Sequence, residues 1–376
     1  MIHRKLHQTL VNRVLDYNKI IILYGSRQVG KTTLIKEILK GFNVKKLEVS
    51  GDEIKYSQVL SSRDLDQLKL MVEGYELLFI DEAQRIENIG VNLKLLHDAL
   101  PELKIIVTGS STLELIDKVK EPLTGRTWTH ILYPVSLQEL NESANKFEIK
   151  QQLGQYLRFG TYPEIFSYKN QEEKISYLKE LTSSYLYKDI LELTSIKHSN
   201  KLQKLLQLLS FQLGSQVSLN ELGNSLGITK ETVGYYIDLL EKSFVIFRLS
   251  GFSRNLRKEI TKMDKIYFYD LGVRNAVIDN YNSLELRNDI GQLWENFLMI
   301  ERRKKLEYDN IQTGSYFWRT YSKAELDYVE DRMGQLHGYE FKFKSKKSKV
   351  PSSWIKTYPD ATFDQINPDN FLDFTL

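Results

Sequence analysis

The chain contains no cysteine among its 376 residues. Disulfide bonds and thiolate metal sites are therefore excluded, and this absence is typical of a protein of the reducing cytoplasm. No window approaches the roughly 18 apolar residues that a membrane-spanning helix needs. The opening sequence, MIHRKLHQTLVNR, also lacks the apolar centre of a secretory signal. These absences predict a cytoplasmic protein that does not bind a membrane.

The chain also has little excess of charge of either sign, because its 52 Lys and Arg residues are nearly balanced by 49 Asp and Glu residues. The net charge of +3 is too small to predict a nucleic-acid partner by itself. Apolar residues make up 41% of the chain, which is typical of a globular protein, and the length suits two or three domains. A DNA-binding prediction must therefore rest on local clusters.

Short apolar runs alternate with helical patterns over residues 1–145. The runs KIIILY, ELLFID and KIIVTG are nearly continuous Ile, Leu and Val, as in parallel strands that are buried on both faces. Between the runs, apolar residues recur at spacings of three and four, which is typical of amphipathic helices. The pattern predicts an α/β domain with a doubly wound parallel sheet.

One predicted strand leads into the phosphate-loop pattern G-x-x-x-x-G-K-[ST], formed by Gly25, Ser26, Arg27, Gln28, Val29, Gly30, Lys31 and Thr32. The glycines let successive backbone N–H groups point at phosphate oxygens, and the following helix directs its positive end at the same anion. Lys31 is predicted to contact the β- and γ-phosphates of ATP, and Thr32 to ligate Mg²⁺. The predicted nucleotide-binding residues outside this pattern are Thr33, Asp81 and Ser110.

Polar residues end the next two buried strands. Asp81 and Glu82 follow one strand and are expected at the carboxyl edge of the sheet, where open α/β folds bind ligands. Asp81 is predicted to complete the Mg²⁺ site, and Glu82 to polarise the attacking water. Ser110 and Ser111 follow the other strand, and either contact the γ-phosphate or cap the next helix. Arg126 is placed either in a surface salt bridge or, as an arginine finger, against a neighbouring subunit's γ-phosphate.

Residues 146–255 are predicted to form a helical linker that ends in a winged helix-turn-helix. Apolar residues of 218–250 recur at helical spacing on both sides of a tight turn at Gly227, and a strand follows. The residues predicted to be exposed on the second helix are Thr229, Lys230, Thr232, Tyr235 and Tyr236. Such side chains suit contacts with DNA phosphates. The same helix carries acidic residues, so a spacer or a protein-contacting module is the alternative.

Residues 256–376 carry carboxylates and a lysine in a pattern typical of metal-assisted phosphodiester cleavage. Asp327 lies on one predicted strand, while Glu340 and Lys342 share one face of the next strand. With Glu295 on the preceding helix, these residues are predicted to bind Mg²⁺ beside a charge-stabilising lysine. The alternative is a polar edge of the sheet that faces solvent.

Two basic clusters lie near this predicted site. They are Arg302, Arg303, Lys304 and Lys305 at the end of a predicted helix, and Lys342, Lys344, Lys346, Lys347 and Lys349 after a predicted strand. Together they are predicted to contact DNA phosphates. The alternative is an ordinary solvated surface, since basic residues also suit the carboxyl end of a helix.

The order of the motifs resembles one family. The segments GSRQVGKTT, LLFIDEAQRI, IIVTGSS and PLTGR, followed by FGTYPE, KIYFYDLGVRN and GQLWENF, are similar to bacterial and archaeal AAA-type ATPases that carry a DUF4143-type C-terminal region. The resemblance implies that Lys31, Thr32, Asp81 and Glu82 handle the nucleotide and that Arg126 is the arginine finger. Many AAA-type ATPases place Asn where Ser110 stands here.

The C-terminal pattern resembles the core of PD-(D/E)XK nucleases, which have a helical Glu, a strand Asp and then E-x-K. Glu295, Asp327, Glu340 and Lys342 match these places in order. The implied fold class is α/β: a P-loop AAA-type parallel sheet, a winged helix-turn-helix and a restriction-endonuclease-like domain. The predicted function is a Mg²⁺-dependent ATPase that acts on duplex or branched DNA as a homo-oligomer, such as a hexameric ring. The alternative is a nucleotide-gated switch that binds a protein partner, with an inactive nuclease-like fold.

Overall fold

The structure is a computed structural model that describes residues 2–16, 18–110, 123–186, 199–253, 263–320, 324–344 and 349–376. Three residues to which the sequence analysis assigns roles lie outside the described residues: Ser111, Lys346 and Lys347. Among the helices in the described ranges, none has the length and apolar character that crossing a membrane requires.

The amino-terminal unit is built around a parallel sheet. Its elements in chain order are α1 (Leu6–Asp16), β1 (Ile20–Tyr24), α2 (Lys31–Lys40), β2 (Lys46–Ser50), α3 (Ile54–Ser61), α4 (Leu65–Val72), β3 (Leu77–Asp81), α5 (Ile89–Ala99), β4 (Lys104–Gly109) and β5 (Thr127–Ile131). Within the described residues, five strands pair in parallel in the order β2-β3-β4-β1-β5. All residues of β1 are buried, as expected for a parallel strand that is covered on both faces. The predicted P-loop α/β sheet is thus confirmed.

The register of this sheet brings the carboxyl ends of its strands to one edge. Tyr24 at the end of β1 pairs with Gly109 at the end of β4, and Ser50 at the end of β2 pairs with Asp81. Ligands of open α/β folds bind at this edge. The phosphate loop, Asp81 and Ser110 therefore leave the sheet on the same side.

A helical unit follows the parallel sheet. Its elements are α6 (Leu137–Leu140), α7 (Lys146–Gln151), α8 (Leu153–Phe159), α9 (Gln171–Glu180), α10 (Ser199–Phe211), α11 (Leu219–Leu226), α12 (Lys230–Lys242), β6 (Ile246–Leu249), β7 (Lys265–Phe268) and α13 (Leu271–Val277). Gly227, with a φ of 62°, turns α11 into α12, and β6 pairs with β7 as an antiparallel ribbon. The order helix, turn, helix and strand is present, while its identity as a winged helix stays a prediction.

The carboxyl-terminal unit places a long helix beside a mixed sheet. Its elements are α14 (Ile290–Tyr308), β8 (Gly314–Arg319), β9 (Glu325–Arg332), β10 (Gln335–Phe341), α15 (Ser352–Thr357), β11 (Thr362–Ile366) and α16 (Phe371–Thr375). The strand order is β11-β10-β9-β8, in which β8, β9 and β10 are antiparallel and β11 is parallel to β10. The predicted boundary between residues 255 and 256 falls between the two strands of the β6–β7 ribbon.

Candidate nucleotide-binding site

The phosphate loop curls because three of its residues have positive φ angles: Gly25 at 153°, Gln28 at 63° and Gly30 at 96°. A Cβ atom at Gly25 would collide with the carbonyl oxygen of Leu132. Position 25 therefore requires glycine. The loop turns directly into α2, whose first residue is Lys31.

The Lys31 side chain is folded back onto the loop. Its Nζ donates to the carbonyl oxygens of Gly25 and Ser26, each at 2.9 Å. Lys31 is buried, and a charge in a site of low dielectric interacts more strongly with a phosphate than it would in water. The amino end of α2 adds the positive end of the helix dipole at the same place.

A hydroxyl and a carboxylate meet below the loop. Thr32 Oγ1 donates to Asp81 Oδ2 at 2.8 Å, and the Thr108 hydroxyl donates to Asp81 Oδ1. Mg²⁺ binds few protein oxygens and keeps phosphate oxygens and waters as its other ligands, so this pair fits the ion. No group of three His, Asp or Glu side chains in the described ranges could hold a metal by itself. The sequence analysis did not identify Thr108, which is hidden inside the apolar run of β4.

Glu82 is held by two side chains that converge on its carboxylate. Gln84 Nε2 donates to Glu82 Oε2 and, at 2.9 Å, to Ser110 Oγ, while Ser110 Oγ lies 3.4 Å from Glu82 Oε2. Glu82 has a left-handed backbone, with a φ of 51°, at the start of a short 3-10 turn. Ser110 is thus a partner of Glu82. Gln84 was missed, although its position two residues after Glu82 is visible in the sequence.

Arg126 lies at the opposite edge of the sheet from the phosphate loop. It precedes Thr127, which pairs with Ile20 at the amino end of β1, roughly 13 Å along the strand from the loop. Arg126 Nε and Nη2 donate to the two carboxylate oxygens of Asp98, at 2.7 and 3.1 Å. This ion pair lowers the pKa of the Asp98 carboxyl. Arg126 therefore does not contact its own phosphate loop, and a contact with a neighbouring subunit stays a prediction.

A cavity of about 490 Å³ opens in front of the loop. Its lining from the helical unit consists of Glu164, Tyr168, Tyr177, Glu180 and Leu181. The Tyr177 hydroxyl is buried and has no hydrogen-bond partner among the described residues. These lining residues were not predicted from the sequence, although Glu164 belongs to the FGTYPE segment. A larger cavity of about 940 Å³ lies at the amino edge of the sheet, away from these groups.

Two distant segments brace the loop. Arg4 Nη1 donates to the Val29 carbonyl oxygen at 2.7 Å, and Arg4 Nε donates to Glu139 Oε1 at 3.0 Å. On the other side, the Ser26 hydroxyl donates to the carbonyl oxygen of Phe244, between α12 and β6, at 3.2 Å. The loop is therefore in direct contact with the helix-turn-helix segment.

The segments FGTYPE and KIYFYDLGVRN form a joint next to the phosphate loop, since Glu164 of the first segment lines the cavity in front of the loop. Asp270 Oδ2 accepts from the Thr161 N–H at 2.7 Å, and Asp270 Oδ1 accepts from the Val273 N–H at 3.1 Å. Burial raises the pKa of Asp270. Gly160 lies against this carboxylate, and an added Cβ would collide with it.

The C-terminal residues predicted to bind Mg²⁺ are each engaged by a proton donor. Tyr267 Oη donates to Glu295 Oε1 at 2.6 Å, and the Phe341 N–H donates to Asp327 Oδ2 at 2.7 Å. Lys342 Nζ lies 2.5 Å from Glu340 Oε1. Burial, with a contribution from the Asp327 carboxylate, raises the pKa of Glu295 to about 7. These carboxylates do not form a metal-ligand set in the described structure.

Two of the four residues of the predicted basic cluster at the end of α14 are not available to contact DNA. Arg302 and Lys304 are buried. Arg302 forms a two-pronged ion pair with Glu330, at 2.6 and 3.0 Å, and Lys304 pairs with Glu301 at 2.6 Å. The helix faces the protein interior over most of its circumference, so these two cations have internal partners.

The second helix of the helix-turn-helix segment exposes fewer side chains than predicted. Tyr236 is buried, whereas Tyr235 is exposed. Arg248 on β6 forms ion pairs with Asp238 at 2.8 Å and Glu241 at 2.6 Å. The acidic residues of this helix are thus partly neutralised by its own ribbon.

A parallel sheet whose first strand leads into a G-x-x-x-x-G-K-T loop, beside a Thr–Asp pair, defines a P-loop ATPase domain. Residues 17–141 match the AAA domain family, residues 290–365 the family DUF4143 and residues 150–284 the family DUF8612, the last two being domains of unknown function. The chain therefore carries an AAA-type ATPase domain and a DUF4143 domain, as the resemblance implies.

Relatives and a solved structure are similar to this chain over most of its length. An uncharacterized protein of Mycobacterium tuberculosis is 26% identical, with 93% of this chain and 76% of that protein covered. One from Methanocaldococcus jannaschii is 24% identical, with 96% and 88% covered. The Walker-type ATPase of Pyrococcus abyssi is 16% identical, and its superposition has a TM-score of 0.51 over 74% of this chain and 96% of that chain. This likeness supports the P-loop ATPase fold.

Proposed function

We propose that the protein is a Mg²⁺-dependent ATP hydrolase whose nucleotide cycle controls contacts with DNA. The observation that carries the hydrolase is the pairing of Thr32 with Asp81 directly below the loop that holds Lys31. These three groups supply an ammonium for phosphate and two oxygens for Mg²⁺ at one edge of the sheet.

The protein groups divide the hydrolytic work by position. Backbone N–H groups of the loop and Lys31 hold the phosphates, and Thr32 with Asp81 holds the Mg²⁺. Mg²⁺ held by Thr32 and Asp81 would supply positive charge beside the phosphate oxygens. Glu82 orients and polarises the attacking water, and Gln84 with Ser110 fixes the direction of the Glu82 carboxylate.

Two variants test the hydrolase. Lys31→Ala removes the phosphate contact and is expected to abolish ATP binding in calorimetry. Glu82→Gln keeps binding but lowers phosphate release by roughly 10²–10⁴-fold, because it removes a general base. Lys36→Ala is the matched control, since Lys36 is exposed on the same helix. Full hydrolysis by Lys31→Ala would exclude this site.

The DNA part of the proposal is supported by the helix-turn-helix segment. Thr229 and Lys230 are exposed at the start of α12, and Tyr235 is exposed one turn later. A helix that begins with such side chains suits entry into a DNA groove with phosphate contacts. Because Ser26 contacts Phe244 at the end of this segment, the nucleotide loop and the DNA-facing helix are physically connected.

Fluorescence anisotropy with random-sequence duplex and four-way junction DNA tests this part. Binding that weakens steeply with salt is expected, since each phosphate contact releases counterions. Lys230→Glu is expected to lower the affinity for both DNAs and to reduce the salt slope, and Lys36→Ala is the control. Absence of binding at low salt, with no change of ATPase rate, would remove DNA from the proposal.

The second candidate is a nucleotide-gated switch that binds a protein partner. It is favoured by the burial of Arg302 and Lys304, which leaves the C-terminal unit with fewer exposed cations than predicted. This function is distinguished from the first one by two results. The affinity for a protein partner depends little on the salt concentration, and the protein does not bind DNA.

A further inference from the structure

A buried lysine lies inside an acidic cluster of the C-terminal unit that consists of Glu295, Glu325 and Asp327. Lys265 begins β7, and its side chain is only 3% exposed. Its Nζ lies 3.2 Å from Glu295 Oε1 and 2.7 Å from Glu325 Oε1. The cation therefore reaches this cluster from the ribbon, which belongs to a different sheet.

Carboxylates of this cluster and the neighbouring Glu340 also have other proton donors beside them. Glu295 accepts from Tyr267, Asp327 accepts from the Phe341 N–H, and Glu340 is paired with Lys342. A Mg²⁺ or Mn²⁺ ion needs several oxygens that converge on one point at roughly 2.0–2.2 Å, free of competing donors. These carboxylates carry enough negative charge for a divalent metal ion, but they are not arranged as a set of metal ligands.

The position of Lys265 also joins two units of the chain. The backbone of Lys265 forms an isolated antiparallel β-bridge with Gln216. The side chain of Gln216 accepts a hydrogen bond from Arg319 Nη1 at 2.7 Å. Arg319 in turn lies 3.7 Å from Glu325. The ammonium thus sits where the ribbon meets α14 and the sheet edge formed by β8 and β9.

We propose that the Lys265 ammonium is the resident cation of the acidic cluster formed by Glu295, Glu325 and Asp327. It takes the place that a divalent metal would need, and it fastens the β6–β7 ribbon to the C-terminal sheet. A divalent ion beside it would be repelled by a cation that is already paired. The C-terminal unit consequently has no metal-dependent phosphodiesterase activity. This inference does not depend on the proposed ATPase or on DNA binding.

Mn²⁺ binding followed by electron paramagnetic resonance tests the proposal, with nucleotide-free protein in the Thr32→Ala background, which removes a metal ligand of the phosphate-loop site. The parent protein is expected to show no Mn²⁺ site that depends on Asp327. Lys265→Met, which keeps the length of the side chain without its charge, is expected to bind Mn²⁺ at least about tenfold more tightly, because the carboxylates lose their cation. Adding Asp327→Asn to Lys265→Met is expected to abolish the gain.

Lys342→Met is the matched control, because it removes a neighbouring lysine that forms an ion pair with Glu340 and leaves Lys265 in place. It is expected to produce less Mn²⁺ binding than Lys265→Met. Lys265→Arg, which keeps a cation, is expected to fold and to bind no Mn²⁺, so it provides a reading even where Lys265→Met fails to fold.

Two results would overturn the proposal. One is micromolar Mn²⁺ binding by the parent protein that Asp327→Asn abolishes. The other is cleavage of duplex or junction DNA by wild-type protein, in Mg²⁺ or Mn²⁺, that Asp327→Asn abolishes. A DNA-binding protein that leaves both substrates intact would agree with it.

Discussion

The Thr32 hydroxyl donates to Asp81 Oδ2 at 2.8 Å, although 49 residues separate the two in the chain. The contact forms because α2 begins at the carboxyl edge of β1 and Asp81 ends β3 at the same edge. This hydroxyl–carboxylate pair is the part of the proposed ATPase site that links the loop to the acidic strand.

Removing the hydroxyl should weaken the response to Mg²⁺. Thr32→Ala is expected to lower kcat by on the order of 100-fold and to shift the Mg²⁺ requirement upward, because a metal ligand is lost. Steady-state phosphate release as a function of Mg²⁺ concentration measures both effects. Thr32→Ser retains the hydroxyl and should restore most of the activity. An unchanged Mg²⁺ titration for Thr32→Ala would contradict the assignment.

Variants of Arg126 and Asp98 distinguish two roles of Arg126, an arginine finger and a structural ion pair. If Arg126 acts on a neighbouring subunit, Arg126→Ala should lower kcat by roughly 10³-fold while ATP binding is retained. Asp98→Ala, which breaks the same ion pair from the other side, should leave kcat largely intact. Equal mixtures of Arg126→Ala with Lys31→Ala should regain activity, because each supplies what the other lacks. Identical effects of Arg126→Ala and Asp98→Ala would exclude the finger.

His130 on β5 should make stability depend on pH. Burial, with a contribution from the nearby Arg13, lowers the pKa of His130 to about 4. The unfolded chain therefore takes up this proton first as the pH falls through about 6.5, so stability decreases from there down to about 4. The loss is at most about 3 kcal/mol. Urea unfolding at pH 7 and pH 5 measures the difference, which His130→Gln should reduce; an equal pH dependence in this variant would contradict the prediction.

Gly160 should tolerate no side chain. Its φ of 69° and its contact with the Asp270 carboxylate predict that Gly160→Ala destabilises the protein by about 2 kcal/mol or more. Gly291 on α14 has open space at its Cβ position, so Gly291→Ala should instead stabilise it by roughly 0.5–1 kcal/mol. Urea unfolding compares the two variants, and equal midpoints would show that the joint at Gly160 can adapt.

The sequence analysis identified the elements of the ATPase domain because its signals are local. Apolar runs predict β1 and β3, and the loop pattern places Lys31 and Thr32 without knowledge of other segments. Thr108 and Gln84 were missed because their roles depend on the neighbours that strand pairing supplies.

Two errors of the prediction from sequence concern charged residues. Arg302 and Lys304 form a basic run in the sequence, yet each is buried against an acidic residue. Periodicity alone does not show this, because α14 is surrounded by protein on most sides and its polar positions face other elements.

By itself, the sequence determines that this chain has a phosphate-binding loop, since consecutive backbone N–H groups, one lysine and one threonine form it. Only the tertiary structure decides where the other charges go: Arg126 to the far edge of the sheet, and Lys265 among Glu295 and Glu325. The physical reason is that a loop is formed by neighbours along the chain. The partner of a buried charge is instead set by the packing of distant segments, because an unpaired charge in the interior is too costly to leave unmatched.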